Sequence, residues 1–230
     1  MMKLAPQVNT ALELLEAAGY EAYLVGGAVR DFVRDSSPAK DWDIATNALP
    51  EQVKAVFAGF RLIETGLKHG TVTVVIDHIQ LEITTYRVDG QYHDSRHPDA
   101  VQFVPQVQPD LARRDFTINA MAYAPGEGLI DLYGGRSDLH ACLMRCVGDP
   151  EERFAEDALR ILRAVRLAAQ LDFALEEATE RAALDMRQSI QNISAERIYT
   201  ELDKLLAAPA AGKVLSRYGR ILAGAVPELS

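Results

Sequence analysis

The sequence predicts an α+β domain followed by an all-helical domain in a chain of 230 residues. Short apolar runs with strand character alternate with helical stretches as far as about residue 145, and beyond that point helical periodicity dominates. Hydrophobic residues make up 48% of the chain, which is ample for a packed core. We therefore expect an α+β domain over residues 1–145, a helical domain over 146–208 and the start of a truncated helical domain over 209–230.

The first domain is predicted to hold the strands that position polar side chains. Gly19 is a typical residue to end its first helix, and Pro50 suits the first turn of a later helix. Asp77 and His78 separate two apolar runs and therefore indicate a hairpin. The expected strands are 21–25, 41–45, 61–64, 71–76, 79–85, 101–104 and 120–124, and the expected helices are 7–18, 29–34, 50–58 and 110–119.

A long loop and four helices complete the predicted elements. Residues 88–100 are polar and rich in turn-forming residues, and a loop of this length inside a compact domain is commonly functional or mobile. Beyond residue 145 the periodicity predicts helices near 150–170, 175–188, 194–207 and 211–223. The sequence ends abruptly after an apolar stretch, so we expect a fragment of a longer protein.

Composition limits the classes of protein to which the chain can belong. No apolar run approaches the ~20 residues of a membrane-spanning helix, and the N-terminal segment lacks the apolar core of a signal peptide. We therefore expect a cytoplasmic protein with no membrane partner. Cys142 and Cys146 lie four residues apart, which fits neither a redox Cys-x-x-Cys motif nor a zinc site. The net charge of −9 argues against binding of nucleic acid through bulk charge, but it does not exclude a local basic stripe.

Two glycines after the second predicted element form a candidate phosphate site. Gly26 and Gly27 follow a strand and open a helix, where free backbone N–H groups can approach a phosphate closely. Arg30 on the same helix could hold a triphosphate. The segment lacks the Gly-Lys-Ser/Thr of a Walker P-loop, and a Gly-Gly turn by itself more often only satisfies a backbone requirement.

Three carboxylates form a candidate metal site. Asp41 and Asp43 stand at positions i and i+2 of a predicted strand, which points both side chains to one face. Glu82 lies on another predicted strand among apolar neighbours, and a charged residue at such a position is uncommon enough to indicate a specific role. Oxygen ligands suit Mg²⁺, and three carboxylates can hold two ions that activate a hydroxyl and neutralise a leaving pyrophosphate. The alternative is a solvated strand edge.

The segment from Arg113 to Asn119 admits two interpretations. In the first it begins a helix that Asp115 caps, with its arginines in solvent. In the second an arginine of the segment contacts phosphates, while Asp115 or Asn119 contacts a ribose. The segment by itself favours the first interpretation.

A charged stripe is predicted on the first helix of the second domain. Four residues recur every third position, namely Asp157, Arg160, Arg163 and Arg166, and apolar residues alternate with them. Most such stripes are solvated faces. Carboxylates and guanidinium groups are also the side chains that read the edge of a base, so the stripe could select a nucleotide.

Taken in order, these segments resemble the class II tRNA nucleotidyltransferase and bacterial poly(A) polymerase family. The first motif and the sugar-selecting motif are similar to Leu24–Asp31 with Asp41–Thr46, and to Arg113–Ala120. The base-reading motif is similar to Glu156–Arg160 with Arg163–Arg166, and the segments Ile83–Arg87 and Asp131–Gly135 also fit. The similarity covers about residues 20–207.

The resemblance implies a polymerase-β-like nucleotidyltransferase head and a helical neck. It implies that Asp41 and Asp43 bind catalytic Mg²⁺, with Glu82 as a third carboxylate. It places the nucleotide against Gly26, Gly27, Arg30, Arg114, Asp115, Asn119, Asp157, Arg160, Arg163 and Arg166. The implied reaction adds CTP and ATP to a tRNA 3′ end, and the oligomeric state is left open.

Alternatives within and outside this class remain. In the family an intact loop before the sugar-selecting motif accompanies A addition, and residues 88–100 look complete, which disfavours a CC-only enzyme. CCA addition, A addition and poly(A) synthesis are all consistent with the sequence. A nucleotide- or RNA-binding module without catalysis is the alternative from another class.

Overall fold

The computed structural model describes residues 2–35, 41–89 and 101–226. The chain divides into two compact units. Among the described residues, the first unit contains 2–35, 41–89, 101–114 and 118–136, and the second contains 115–117 and 137–226. In these ranges no helix is long and apolar enough to span a membrane.

The first unit is built on a mixed seven-stranded sheet. Its strands are β1 (Ala22–Val25), β2 (Trp42–Thr46), β3 (Arg61–Ile63), β4 (Thr71–Ile76), β5 (Ile79–Thr85), β8 (Met121–Ala124) and β9 (Gly128–Asp131), and a separate ribbon pairs β6 (Arg87–Asp89) with β7 (Val101–Phe103). The strand order is β3-β4-β5-β2-β1-β8-β9, and β2 with β5 is its parallel pair. The helices are α1 (Pro6–Ala17), α2 (Gly27–Asp35), α3 (Pro50–Val56) and α4 (Val107–Ala112).

Local sequence accounts for several turns of this unit. Asp77 and His78 both have positive φ, 44° and 69°, as a two-residue type I′ hairpin between β4 and β5 requires. Gly19 takes φ 85° after α1, and Pro50 occupies the first position of α3. The predicted hairpin and both helix signals are therefore confirmed.

The two faces of the sheet differ in character. Leu24, Ile44 and Ile83 point to one face and are fully buried. The other face carries Asp43 and Glu82, which are strand neighbours in register. Further along that face an apolar cluster lies under α4, formed by Tyr23, Val25, Ala45, Tyr86, Val107, Leu111, Ala122 and Ala124. The carboxylates thus stand beside a packed core that fixes the strands on which they lie.

The second unit is mainly helical. Its helices are α6 (Pro150–Glu156), α7 (Leu159–Leu171), α8 (Glu177–Asp185), α9 (Ala195–Leu206) and α10 (Ala211–Leu222). The boundary between the units along the chain, after Arg136, falls within α5 (Gly135–His140). Two short strands, β10 (Leu143–Met144) and β11 (Ala174–Leu175), pair in parallel. The apolar side of α7 is its central packing surface, because Ile161, Ala164, Val165 and Ala168 are fully buried.

The predicted fold class, α+β followed by helices, is confirmed, but two helix predictions are wrong. The helix expected near 110–119 ends at Ala112, because Phe116 forms a β-bridge with Cys146 and the amide of Thr117 donates to the carbonyl of Arg145. The helix expected over 150–170 is interrupted at Asp157, which has extended backbone angles (φ −145°, ψ 103°). Tertiary hydrogen bonds therefore override helical periodicity in both segments.

Smaller differences concern strands. β2 begins at Trp42, so Asp41 precedes the strand. Residues 88 and 89 belong to β6 instead of the expected loop, whose remaining residues 90–100 lie outside the described ranges. The sequence did not indicate β6, β9, β10 or β11, which have two to four residues each. Strands this short leave little alternation to detect.

At two glycines near the end of α10, an added methyl group should have opposite effects on stability. A Cβ at Gly224 would overlap the backbone of Arg187, lying 2.8 Å from its carbonyl carbon, whereas a Cβ at Gly219 meets nothing within 4 Å. We expect Gly224→Ala to lower the free energy of unfolding by about 1–3 kcal/mol. Gly219→Ala, the matched control within α10, should raise it by about 0.5–1 kcal/mol. Urea denaturation measures both, and equal effects would contradict the packing described here.

Candidate functional site

The turn between β1 and α2 brings the backbone close to two charged side chains. Gly26 has φ +70°, a conformation that favours glycine. A Cβ at this position would lie 3.2 Å from Oδ2 of Asp43 and 3.7 Å from Nη1 of Arg114. The absence of a side chain therefore keeps the space between the turn, the carboxylate and the guanidinium group open.

The carboxylates predicted to bind metal influence one another. Asp43 on β2 pairs in register with Glu82 on the parallel strand β5, and Asp41 is exposed just before β2. Burial and the charge of Glu82, opposed by Arg114 and assisted by Asp41, raise the pKa of Asp43 to about 6. The site therefore concentrates negative charge that Arg114 offsets only in part.

This excess of negative charge fits a divalent cation. In the described part of the chain, no group of three or more His, Cys, Asp or Glu side chains is arranged so that it could hold a metal ion. Mg²⁺ is commonly bound by only one or two carboxylates, together with water and substrate phosphates. Asp41 and Asp43 agree with an open site of this kind. Glu82 raises the pKa of Asp43, and a bound cation would oppose that effect.

Arg30 and Asn119, both predicted to contact the nucleotide, lie together. Nη1 of Arg30 donates to Oδ1 of Asn119 at 2.9 Å, and Nε donates to Asp31 at 2.9 Å. Nη2 of Arg30 would lie 3.5 Å from a Cβ at Gly27. The guanidinium group is thus fixed against the first turn of α2, and its partner Asn119 lies 89 residues further along the chain.

Arg114 is fixed by a carboxylate that the sequence analysis missed. Asp110 on α4 is only 1% exposed, and its Oδ2 accepts from Nη2 of Arg114 at 3.2 Å. Burial raises the pKa of Asp110, but the guanidinium groups of Arg113 and Arg114 outweigh it and hold that pKa below its usual value. Asp110 is therefore charged over the whole physiological range.

Within the second unit, Asp157 stands at a break between two helices. Its Oδ1 accepts from the amide of Leu159 at 3.0 Å, and its Oδ2 accepts from Nη2 of Arg197 at 2.8 Å. A carboxylate that accepts from the amide two residues later typically begins a helix. The prediction that Asp157 shares a helix with the three arginines is therefore wrong, because it initiates the helix that carries them.

The three arginines of the predicted stripe are all paired with carboxylates. Arg160 is 9% exposed and Arg166 is 8% exposed. Arg160 donates to Glu156, Arg163 donates to Asp115, and Arg166 donates to Glu201, each at 2.5 Å. The interpretation as a solvated face is wrong for Arg160 and Arg166, which are buried, whereas 35% of the Arg163 side chain is exposed. Each of the three guanidinium groups has a carboxylate partner within the unit.

The predicted ribose residues separate into different units. Asp115 belongs to the second unit, where its Oδ2 accepts from both Nε and Nη2 of Arg163. The Asp115 charge is the largest influence on Arg163 and raises the pKa of its guanidinium group. Asn119 belongs to the first unit beside Arg30. The favoured interpretation of this segment, an α-helix start capped by Asp115, is wrong, because α4 ends at Ala112 and only a single 3-10 turn over Thr117–Asn119 follows before β8.

Comparison with known proteins identifies the family. The model of the poly(A) polymerase head domain matches residues 22–145, which is more than half of the chain. The chain belongs to the poly(A) polymerase head-domain family. A second model, described as a probable RNA and SrmB-binding site of polymerase A, matches residues 172–219. The predicted family is therefore confirmed.

Relatives within the poly(A) polymerase head-domain family are named for CCA addition. The chain is 50% identical over 198 residues to a CCA-adding enzyme of Lactobacillus helveticus, covering 86% of this chain and 49% of the relative. The solved structure of the Bacillus stearothermophilus CCA-adding enzyme in complex with CTP is 41% identical, with a TM-score of 0.84, covering 96% of this chain and 52% of that chain. The chain thus spans about half the length of the relatives it matches.

A Thermotoga maritima enzyme extends the comparison to RNA. Its structure, described as a CCA-adding enzyme complexed with tRNA_CCA, is 26% identical with a TM-score of 0.79 and covers 98% of this chain and 54% of that chain. The described fold therefore agrees over nearly its whole length with members of the poly(A) polymerase head-domain family.

Three charged residues, one in the first unit and two in the second, had no functional interpretation from the sequence. Asp110, Arg197 and Glu201 hold Arg114, Asp157 and Arg166, respectively. Arg197 and Glu201 are four residues apart, and Glu201 is 6% exposed on α9. Residues four apart lie on the same face of a helix, and a buried charge requires a partner of opposite charge. The spacing of Arg197 and Glu201 on a predicted helix was therefore the sequence signal that could have identified them.

The raised pKa of Asp43 predicts that its charge destabilises the metal-free protein. The cost is absent below about pH 4, where the carboxyl is protonated in both folded and unfolded states, grows between about pH 4 and 6, and is complete above about pH 6. Asp43→Asn should therefore raise the free energy of unfolding by roughly 2–3 kcal/mol at pH 8 and by much less at pH 4. Denaturant unfolding with a chelator measures this difference.

A matched control uses an exposed carboxylate. Asp203 on α9 is exposed, so Asp203→Asn should change stability by less than about 0.5 kcal/mol at both pH values. An Asp43→Asn effect that is independent of pH would show that Asp43 is not held among repelling carboxylates.

Proposed function

We propose that this chain is the head and neck portion of a template-independent nucleotidyltransferase that adds CTP and ATP to tRNA 3′ ends as CCA. The observation that carries the proposal is the 50% identity over 198 residues to a protein named CCA-adding enzyme. The likeness to structures described with CTP and with tRNA_CCA supports the same substrates. As part of the same proposal, we expect the protein to be located in the cytoplasm, as the sequence predicted.

The residues of the first unit suggest how a nucleoside triphosphate would be held. Arg30 and Arg114 present guanidinium groups beside the turn at Gly26, where backbone N–H groups can approach phosphates. Asn119 orients Arg30, and its amide is also a candidate to contact the ribose. Binding in this way would fix the α-phosphorus for in-line attack, so positioning would supply much of the rate enhancement.

Asp41 and Asp43 are the residues we propose to hold Mg²⁺. When bound, Mg²⁺ supplies activation of the attacking hydroxyl and neutralises charge on the leaving pyrophosphate. Glu82 maintains the negative charge of the site from the neighbouring strand, which favours cation binding. The attacking 3′ hydroxyl forms the new P–O bond, and pyrophosphate leaves as the bond from the α-phosphorus breaks.

The second unit supports a role in choosing the base. Each carboxylate oxygen has two lone pairs, so the bonds from Leu159 and Arg197 leave Asp157 able to accept from an exocyclic amine. Arg160 is held at the start of α7 by Glu156 and by the carbonyl of Arg153. Fixed donors and acceptors discriminate between bases better than mobile ones, because a wrong base leaves them unpaired. Arg163 and Arg166 complete this proposed surface.

Incorporation of labelled nucleotides distinguishes this reaction from its alternatives. We expect Mg²⁺-dependent addition of CTP and then ATP to a tRNA lacking CCA, stopping after A, and no addition with a chelator. Addition of A only to a CC-ended tRNA would establish an A-adding enzyme, and repeated A addition a poly(A) polymerase. CTP binding without pyrophosphate release would support a binding module.

Loss of the central carboxylate should abolish transfer. Asp43→Ala is expected to reduce incorporation by at least about 10³-fold, since the metal would lose its main ligand. Circular dichroism and thermal melting should show an intact fold. Near-normal incorporation by this variant would contradict the assignment of Asp43.

Loss of a base-reading guanidinium should blur the choice of nucleotide. We expect Arg160→Ala to reduce the preference for CTP over UTP by about 10-fold or more, or roughly 1–3 kcal/mol of discrimination. Arg181→Ala, which removes an exposed arginine paired with Glu177 on α8, is the control and should leave the preference unchanged. An unchanged ratio of kcat/KM values in Arg160→Ala would exclude the selection role.

A further inference from the structure

Arg114 lies between two carboxylates, that of Asp43 and that of Asp110. On one side, Nη1 of Arg114 and Oδ2 of Asp43 face the same space at Gly26, where a Cβ would lie 3.7 Å and 3.2 Å from them, respectively. On the other side, its Nη2 donates to Asp110 at 3.2 Å. A guanidinium group that collapsed onto the metal-binding carboxylates would be lost to an incoming phosphate, so its position requires an opposing anchor.

Asp110 has the geometry of that anchor. Its Oδ1 accepts from Nη2 of Arg113 at 2.8 Å, from Nε of Arg113 at 3.1 Å and from the amide of Arg87 at 3.3 Å. These three donors fix the orientation of the carboxylate and direct Oδ2 toward Arg114. Because Asp110 is 1% exposed, no water competes appreciably for this ion pair.

Arg114 also keeps a hydrogen-bond donor for a ligand. Its Nη2 donates to Asp110. Nε of Arg114 is buried, and within the described ranges it has no hydrogen-bond partner. A buried donor in this state gains from a ligand that supplies an acceptor.

We propose that Asp110 is a positioning residue for the nucleotide: it holds Arg114 away from the metal-binding carboxylates and directs it toward the triphosphate. The inference rests on the proposed function, because it names the residue that makes one proposed phosphate contact available. Asp110 itself touches neither substrate nor metal, and its whole effect passes through Arg114.

Titration calorimetry with CTP and Mg²⁺ tests this role in the full chain. Wild type should bind CTP, and Asp110→Asn should weaken binding about 10-fold while changing kcat at saturating nucleotide by less than about threefold. Asp110→Glu, which keeps the charge but shifts it by one methylene, should recover part of the affinity. It also provides a second variant in which both arginines retain a charged partner if the asparagine variant fails to fold.

A double-mutant cycle separates positioning from general stability. Arg114→Ala should weaken CTP binding, and adding Asp110→Asn to it should cause no further loss, because Asp110 would have nothing left to position. A structural role would instead give additive losses. Thr85→Val is the matched control: Thr85 is fully buried, donates to the carbonyl of Ala48 at 2.7 Å, and points away from the face of Asp43. It should lower stability without changing CTP affinity.

The outcomes distinguish this inference from the proposed function. Wild type that fails to bind CTP would overturn the proposed function and the role of Asp110 with it. Wild type that binds CTP, together with an Asp110→Asn variant of equal affinity or with additive losses in the cycle, would overturn the positioning role alone.

Discussion

The pairing of Asp43 with Glu82 on adjacent parallel strands is the constraint around which the first unit is organised. Strand register holds two carboxylates on one face, and partial burial together with the charge of Glu82 raises the pKa of Asp43, because both disfavour its charged form. The unfavourable negative charge at Asp43 and Glu82 can be offset only by positive groups nearby. Arg114 provides part of this compensation, and Gly26 keeps the adjacent space free of side chains. The packed core beneath α4 prevents the strands from relaxing apart.

In the second unit the buried charges on α7 are positive, and they require carboxylate partners. Guanidinium groups on α7 are partly or fully buried, and each therefore needs a nearby carboxylate. Those carboxylates come from segments distant in sequence, namely Asp115 and Glu201. Residues 153–166 carry a net charge of +2 by sequence, and in the folded unit Asp115 and Glu201 bring two negative charges against it. The stripe thus gains a fixed geometry, which a solvated face would lack.

Most strands and turns could be predicted, because their signals are local. Asp77 with His78, Gly19 and Pro50 encode a hairpin and two helix boundaries through steric preferences of a few residues. The failures occurred where distant segments compete with local preference. Residues 116 and 117 pair with 145 and 146, so the periodicity that suggested a helix there reflects burial of alternate apolar residues. Asp157 begins a helix instead of continuing one.

The sequence by itself determined the fold class, the family and the residue types of the candidate site, because strand alternation, glycine turns and motif order are properties of short segments. Only the tertiary structure decided which polar and charged side chains contact one another. Arg30 lies against Asn119, Arg114 lies between Asp110 and Asp43, and Arg163 contacts Asp115. The physical reason is that an ion pair depends on distance and burial, which packing sets, and neither quantity is encoded by the spacing of residues along the chain.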